Sequence, residues 1–135
     1  MPEKETLERA RRDKRQGKAP STQAGEFVRE EIEHIREGKH GARSAKQAIA
    51  IGLSKARRAG IKLKPPRKGT AKAETRRSAA RDYRAGQQGG HHPSPKRSRA
   101  AKRALKREGR SAASRLALSK QARQAARRRR RRATA

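Results

Sequence analysis

The feature that most constrains this chain is its shortage of large apolar side chains. Leu, Ile, Val and Phe together number 13 in 135 residues, whereas alanine alone contributes 25. Nine of those 13 residues lie between Phe27 and Leu63. So little large apolar surface cannot offset the conformational entropy of ordering the full length as one globular domain. We therefore expect the folded unit to lie in this segment.

Positive charge is distributed very unevenly along the sequence. The 41 Lys and Arg residues outnumber the 12 Asp and Glu residues, which gives a net charge of +29. Residues 1–37 hold nine of each sign, so all of the excess falls in residues 38–135. This asymmetry is typical of a polyanion-binding tail joined to a more ordinary head. Arg outnumbers Lys by 27 to 14, which favours bidentate contacts with phosphate.

Several classes of protein are excluded by what the sequence lacks. There is no cysteine, which removes disulfides and thiolate metal sites. No apolar run approaches the roughly 20 residues of a membrane span. The acidic N-terminus argues against a signal peptide. We expect a protein of the cytoplasm, at the nucleoid, with no membrane partner and no cofactor.

The fold class predicted is mainly α, built on a small αα-hairpin whose first helix spans about residues 21–38. Ser21 or Thr22 is a suitable N-cap, and Gly38 and Gly41 can end the helix in the left-handed conformation. Helical spacing then places one apolar stripe on Phe27, Val28, Ile32 and Ile35.

The second helix of the hairpin is predicted over about residues 44–59. Ser44 is followed three residues later by Gln47, which is a capping-box pattern, and Gly60 supplies a stop. Its apolar face is mostly small, so a partner helix can approach closely, and the short link favours antiparallel neighbours. The facing residues are Ala45, Ala48, Ile49, Gly52, Leu53, Ala56 and Ala59. We expect this small hairpin to be supported by self-association or by bound partners.

The remaining segments are predicted to be less ordered. The boundaries are a charged N-terminal helix in 1–19, the hairpin head in 20–64, a basic linker with a short third helix in 65–85, a flexible linker in 86–95, and a largely disordered tail rich in Ala, Arg and Lys in 96–135.

The strongest functional pattern is the run of six arginines near the C-terminus. Adjacent guanidinium groups repel one another, and binding to phosphates relieves that repulsion and releases condensed counterions. The residues predicted to contact nucleic acid are Lys46, Lys55, Arg57, Arg58, Lys96, Arg97, Arg99, Arg123, Arg127, Arg128, Arg129, Arg130, Arg131 and Arg132.

Metal binding and catalysis are not expected from the sequence. His34 lies one position before Ile35 in a charged helix, which indicates a surface position, and the pair His91–His92 has no neighbouring ligand in the sequence. The glutamates crowded on the first hairpin helix are explained by pairing with arginines three or four residues away. There is no Gly-rich phosphate loop and too few large residues to form a pocket, so we expect a protein that is not an enzyme.

Aromatic content favours duplex DNA over base-stacking recognition. Modules that bind single strands or RNA stack bases on aromatic platforms. This chain has only Phe27 and Tyr83, and Phe27 belongs to the predicted core. Structured RNA bound through its phosphates stays an alternative.

The block from Pro20 to Leu63 resembles a family of small basic bacterial proteins of unknown function. The resemblance rests on the segments 21–27 (STQAGEF), 38–41 (GKHG) and 46–53 (KQAIAIGL), and extends through Arg76–Tyr83. It implies a DNA-binding or plasmid-stabilisation role and no catalytic residues. The tail is instead similar to linker-histone and bacterial histone-like tails, as in Ser94-Pro95-Lys96-Arg97.

Three functions therefore stay open at this stage. The leading hypothesis is a nucleoid-associated protein that binds duplex DNA with little sequence preference. The second is an RNA- or ribosome-associated basic protein. The third is a scaffold in plasmid maintenance whose hairpin binds another protein. A helix-turn-helix that reads bases is disfavoured, because the second helix lacks a cluster of exposed Asn, Gln and Arg at its start.

Overall fold

The computed structural model describes residues 2–89 and 94–134. Within these ranges the chain is mainly helical and contains no β-strand, which confirms the mainly α part of the prediction. The helices are α1 (Lys4–Arg15), α2 (Pro20–Arg36), α3 (Ala45–Arg58), α4 (Ala73–Gln88), α5 (Pro95–Lys106) and α6 (Arg115–Thr134), with a single 3₁₀ turn at Ser111–Ala113 before α6. Among the described helices, none combines the length and apolar character needed to cross a bilayer.

Helix α3 begins and ends where its capping residues predict. The Gln47 N–H donates to Ser44 Oγ at 3.1 Å, and Gln47 Oε1 in turn accepts the Arg43 N–H. Gly60 follows the helix with φ of 98°, and Gly38 follows α2 with φ of 80°. Glycine adopts this left-handed conformation without the Cβ clash of other residues. The Ser44 N-cap and the glycine stops at Gly38 and Gly60 are confirmed. The second bond of the predicted capping box differs, because Gln47 Oε1 accepts from the Arg43 N–H and not from that of Ser44. Gly41 does not end α2 in the left-handed conformation, because its φ is not positive.

Helix α2 begins earlier than its predicted caps. The helix starts at Pro20, with Ala19 as the flanking residue, so Ser21 and Thr22 lie inside the first turn and do not cap it. Proline is favoured at the first helical position because its φ is already helical and that position needs no N–H donor. The prediction that Ser21 or Thr22 is the N-cap is wrong for this reason.

Helices α2 and α3 pack closely because a glycine lies between their backbones. A Cβ added to Gly52 would stand 2.6 Å from Val28 Cα, so only glycine permits this approach. Around the contact lie two separate groups of buried residues. One consists of Ala10, Ala24, Phe27 and Ala56, and the other of Ile35, Ala42, Ala48, Ala112 and Ala113. The core is therefore made mostly of alanine around Phe27 and Ile35.

Helix α4 packs on α3 through a polar contact. Asp82 Oδ2 accepts a hydrogen bond from Ser54 Oγ at 2.7 Å, and its Oδ1 accepts one from Arg58 Nε at 2.8 Å. The helix continues to Gln88, so it is longer than the short third helix predicted, and it includes the first residues of the predicted flexible linker. Residues 90–93 of that linker lie outside the described residues.

The C-terminal segment differs from the predicted disordered tail, because α5 and α6 are helical. Each helix is capped by serine: Ser94 Oγ accepts the Arg97 N–H at 3.2 Å, and Ser114 Oγ accepts the Ala117 N–H at 3.1 Å. Alanine has the highest helix propensity, and together with these caps it opposes the repulsion between like charges.

Backbone hydrogen bonds join this segment to the head. The Gly41 N–H donates to the Leu105 carbonyl at 2.8 Å, and the Ala42 N–H donates to the Gly109 carbonyl at 3.0 Å. Arg36 Nε donates to the Ala113 carbonyl at 3.0 Å. Ala113 is only 1% exposed, and together with Ala112 it belongs to the buried group around Ile35. The 3₁₀ turn after α5 is therefore part of that core.

Replacing Gly41 with alanine is expected to separate α5 and the 3₁₀ turn from the head. The added Cβ would overlap the Glu108 carbonyl, so both backbone hydrogen bonds at residues 41 and 42 must break or shift, at a cost of about 1–3 kcal/mol. Hydrogen exchange measures the loss of these bonds as reduced protection of the backbone amides at residues 41 and 42. Gly25→Ala in α2 is the control. Its Cβ meets no atom within 4 Å, so it should stabilise the helix by about 0.5–1 kcal/mol. Unchanged protection in Gly41→Ala would contradict the docked arrangement.

Candidate nucleic-acid interface

The cations of residues 94–134 are not used in internal ion pairs. This range holds seventeen Lys and Arg residues and one acid, Glu108. In the part of the chain that the structure describes, none of the seventeen has a side-chain nitrogen within 4.0 Å of a carboxylate oxygen. The cations are Lys96, Arg97, Arg99, Lys102, Arg103, Lys106, Arg107, Arg110, Arg115, Lys120, Arg123 and Arg127 to Arg132.

The N-terminal half behaves differently. Arg9 Nε lies 3.1 Å from Glu26 Oε2, and Arg29 Nε lies 3.0 Å from Glu33 Oε1. The nine cations of residues 1–37 are thus balanced by nine acids, and several of them pair within the fold, whereas the cations of the C-terminal segment do not.

Helix α6 presents the arginine run on a long helix that also contacts α3. Its 20 residues include no buried residue and extend for about 30 Å. Successive residues turn by about 100°, so six consecutive arginines surround the helix axis. Arg123 and five of the six are exposed, and Arg128 is half-buried. The predicted residues of this helix are therefore brought into one strongly positive surface.

A second basic surface, the α3–α5 groove, lies between α3, α4 and α5. It is an open groove of about 1140 Å³ with one acid, Glu31, in its lining. Its lining cations are Lys39, Lys55, Arg58, Arg81, Arg84, Arg97 and Lys102. Of the residues predicted from the sequence, the structure brings Lys55, Arg58 and Arg97 together here. Lys46, Lys96 and Arg99 are exposed but lie outside the groove.

Three of the predicted contact residues are engaged within the fold, and one of them is Arg58, which pairs with Asp82 on α4. Arg57 is 7% exposed, and its guanidinium donates to the carbonyls of Leu63 and Lys64 at 3.0 and 3.2 Å. Burial lowers the pKa of Arg57 from its ordinary value, and the nearby Asp82 carboxylate acts against that shift. Lys55 Nζ donates to the buried Glu31. Arg57 holds the turn after α3 and is almost fully buried, so little of its guanidinium is accessible to a phosphate.

Sequence reasoning missed the groove residues on α4. Arg81 and Arg84 are three residues apart on a helix, which places them on one face. That spacing can be read from the sequence. The two arginines line a groove only because α5 lies opposite them, and no local sequence pattern predicts the position of α5.

A group of titratable side chains lies at one end of the α3–α5 groove. One potential ligand atom from each of Glu31, His34 and His40 lies within 4.8 Å of the others. The side chains are 1%, 14% and 9% exposed, so His34 is not the surface residue expected from the sequence. Hydrogen bonding from His34, and then from Lys39, lowers the pKa of the neighbouring Glu3 carboxyl. The pair His91–His92 lies outside the described residues.

The fold and these surfaces define a basic, mainly helical protein whose first 37 residues are balanced in charge and whose C-terminal segment carries uncompensated positive charge. Residues 3–69, about half of the chain, match the family described as Family of unknown function (DUF6496). No curated protein and no solved structure matches the chain. The matched segment contains α1, α2, α3 and the cluster around Glu31, while α5 and α6 lie beyond it.

Proposed function

We propose that this protein is a non-enzymatic, nucleoid-associated protein that binds duplex DNA through phosphate contacts with little sequence preference. The observation that carries the proposal is the set of seventeen C-terminal cations, none of which pairs with a carboxylate in the described residues. Unpaired like charges repel and destabilise a compact fold, and a phosphate backbone supplies the missing counter-charge. The chain would then occupy the nucleoid of the cytoplasm.

The shape of the basic surfaces supports contact with a duplex. Double-stranded DNA carries one negative charge per ~1.7 Å of axis, so a ~30 Å helix such as α6 can lie beside many phosphates at once. The α3–α5 groove adds cations from three further helices. Arginine suits both surfaces because its planar guanidinium binds phosphate oxygens in pairs.

Weak sequence preference is proposed because no Asn or Gln side chain is free to read bases at the start of α3. Gln47, the amide residue of its first turn, is engaged in capping through its Oε1 contact with the Arg43 N–H. Phosphate contacts position a protein on DNA without carrying sequence information.

The shortage of exposed aromatic side chains favours duplex DNA over RNA that is recognised by base stacking. Phe27 is 0% exposed in the core, and Tyr83 is half-buried on α4. A single-strand site normally needs exposed aromatic rings on which bases stack. The resemblance of residues 20–83 to proteins labelled as DNA-binding points to the same class, and a plasmid-maintenance role would use the same contacts.

The test is a competition between duplex DNA and structured RNA for the full-length protein at about 150 mM salt, read by fluorescence anisotropy. We expect duplexes of unrelated sequence to compete equally with one another and better than a structured RNA of matched length. Preferential displacement by the RNA would establish the RNA-associated alternative instead. Failure of both nucleic acids to bind would favour the scaffold. The full chain is required, since truncation before α5 removes Ala112 and Ala113 from the core.

A further inference from the structure

We propose that Glu31, His34 and His40 form a binding site for one divalent transition-metal ion of the Zn²⁺ class. The inference is independent of DNA binding. Zn²⁺ is commonly held by two histidines and one carboxylate, with a further position filled by water or another oxygen. Two of the three side chains come from one turn of α2, and His40 comes from the loop that follows. The sequence alone predicted no metal site.

The first argument is an unpartnered buried oxygen. The Glu31 side chain is 1% exposed, and its Oε1 accepts a hydrogen bond from Lys55 Nζ. Its Oε2 is fully buried and has no hydrogen-bond donor in the described structure. A buried carboxylate oxygen without a partner is costly, so such atoms in native proteins indicate an unseen ligand or a stored strain. Lys55 would act as the outer-shell partner that orients the ligating carboxylate.

The second argument is the orientation of the His40 ring. Its Nδ1 lies 2.9 Å from the Gly41 carbonyl oxygen, and a carbonyl only accepts, so Nδ1 carries the proton. In the neutral ring Nε2 is then a lone-pair donor atom, and it lies 3.1 Å from the unpartnered Glu31 Oε2. The two atoms are close but not aligned as a hydrogen bond. Ligand atoms of a tetrahedral Zn²⁺ stand about 3.3 Å apart, given bonds of ~2.0–2.1 Å. A histidine whose other nitrogen donates to a backbone carbonyl is the usual form of a metal ligand.

His34 completes the set and links it to the N-terminus. Its ring meets the His40 ring edge to face, with centroids 6.0 Å apart. His34 Nε2 also lies 3.0 Å from Glu3 Oε1. One potential ligand atom from each of Glu3, Glu30 and His34 lies within 4.8 Å of the others. An ion at Glu31, His34 and His40 would therefore cross-link α2 and the following loop, and Glu3 in the segment before α1 contacts one of its ligands. The cluster lines the α3–α5 groove, which gives the ion a path from solvent.

The experiment is titration of the metal-free, full-length protein with Zn²⁺ in competition with a chromophoric chelator. It is paired with histidine-selective ¹H–¹⁵N spectra. We expect one tight site per chain, with the ring signals of His34 and His40 shifted and Mg²⁺ without effect, because imidazole suits Zn²⁺ and not Mg²⁺. Glu31→Gln and His40→Gln should each weaken Zn²⁺ binding by more than the ~10–100-fold typical of losing an outer-shell partner. Bound Zn²⁺ should also raise the thermal midpoint.

Two controls separate this site from other binding. Glu33→Gln removes a half-exposed carboxylate from the same helix and should leave the Zn²⁺ affinity unchanged. The double variant His91→Gln/His92→Gln should likewise leave the Zn²⁺ affinity unchanged. Absence of tight Zn²⁺ binding in the wild-type protein overturns the proposal. So does tight binding that is lost on replacing His91 and His92 while the ring signals of His34 and His40 stay in place. The ring spectra need no variant, so the result is decisive even if Glu31→Gln fails to fold.

Discussion

Raising the salt concentration from about 50 to about 200 mM is expected to weaken binding to duplex DNA about a thousandfold or more. Each phosphate neutralised on B-DNA contributes about −0.9 to the slope of log K against log salt, and roughly six to ten contacts give a loss of this size. The seventeen C-terminal cations are sufficient for that number. Anisotropy titrations at several salt concentrations measure the slope directly.

Replacing Arg127 to Arg132 with glutamine is expected to flatten that slope by up to about 5 and to weaken all duplexes about equally. The matched control removes five exposed cations from α1 instead, namely Lys4, Arg11, Arg12, Lys14 and Arg15. This control changes the net charge by a similar amount but touches neither proposed surface, so it should change the slope much less. If the α6 variant keeps the full slope, the contacts lie in the α3–α5 groove and not on α6. Equal flattening in both variants would mean that net charge alone governs binding.

Phe27→Ala should cause the largest loss of stability of any single substitution in this chain. Phe27 is 0% exposed and is the largest side chain in its group of buried residues, whose other members are alanines. Removing it leaves a cavity between these alanines and the partly buried Leu7, Leu53, Ile61 and Leu63, which costs about 3–5 kcal/mol. For a chain of this size that corresponds to a fall of about 10–20 °C in the thermal midpoint, measured by far-UV circular dichroism.

Leu116→Ala is the control for this measurement. Leu116 is 74% exposed on α6, so its truncation should change stability by less than about 0.5 kcal/mol. Equal effects of the two substitutions would contradict the placement of the core between α1, α2 and α3.

The sequence predicted the parts of the fold that large side chains and capping residues specify. The cluster of apolar residues from Phe27 to Leu63 located α2 and α3, and Ser44 with Gln47 located the start of α3. The buried role of Ala112 and Ala113 could not be predicted. Alanine favours helices whether it is buried or exposed, so its presence carries no information about which face meets the core.

The candidate sites were predictable to different degrees. The arginine run of α6 is local and was identified directly. The cluster at Glu31 was not identified, although Glu31 and His34 are three residues apart on one helix face. His40 joins them only because the chain reverses after Gly38, and Lys55 reaches Glu31 from another helix. Contacts between segments that are distant in the sequence produce no periodic pattern from which they could be predicted.

The anchoring of the C-terminal segment at Ala112 and Ala113 divides the chain into constrained and free regions. At Ala112 and Ala113, insertions or larger side chains would disturb the buried contacts with Ile35, and between Leu105 and Gly109 they would disturb the backbone bonds to the loop at residues 41–42. Beyond Ser114, α6 contains no buried residue. The number of arginines there can therefore rise or fall during evolution, or by design, with little penalty to folding. Affinity for a polyanion and stability of the fold are in this way adjustable as separate traits.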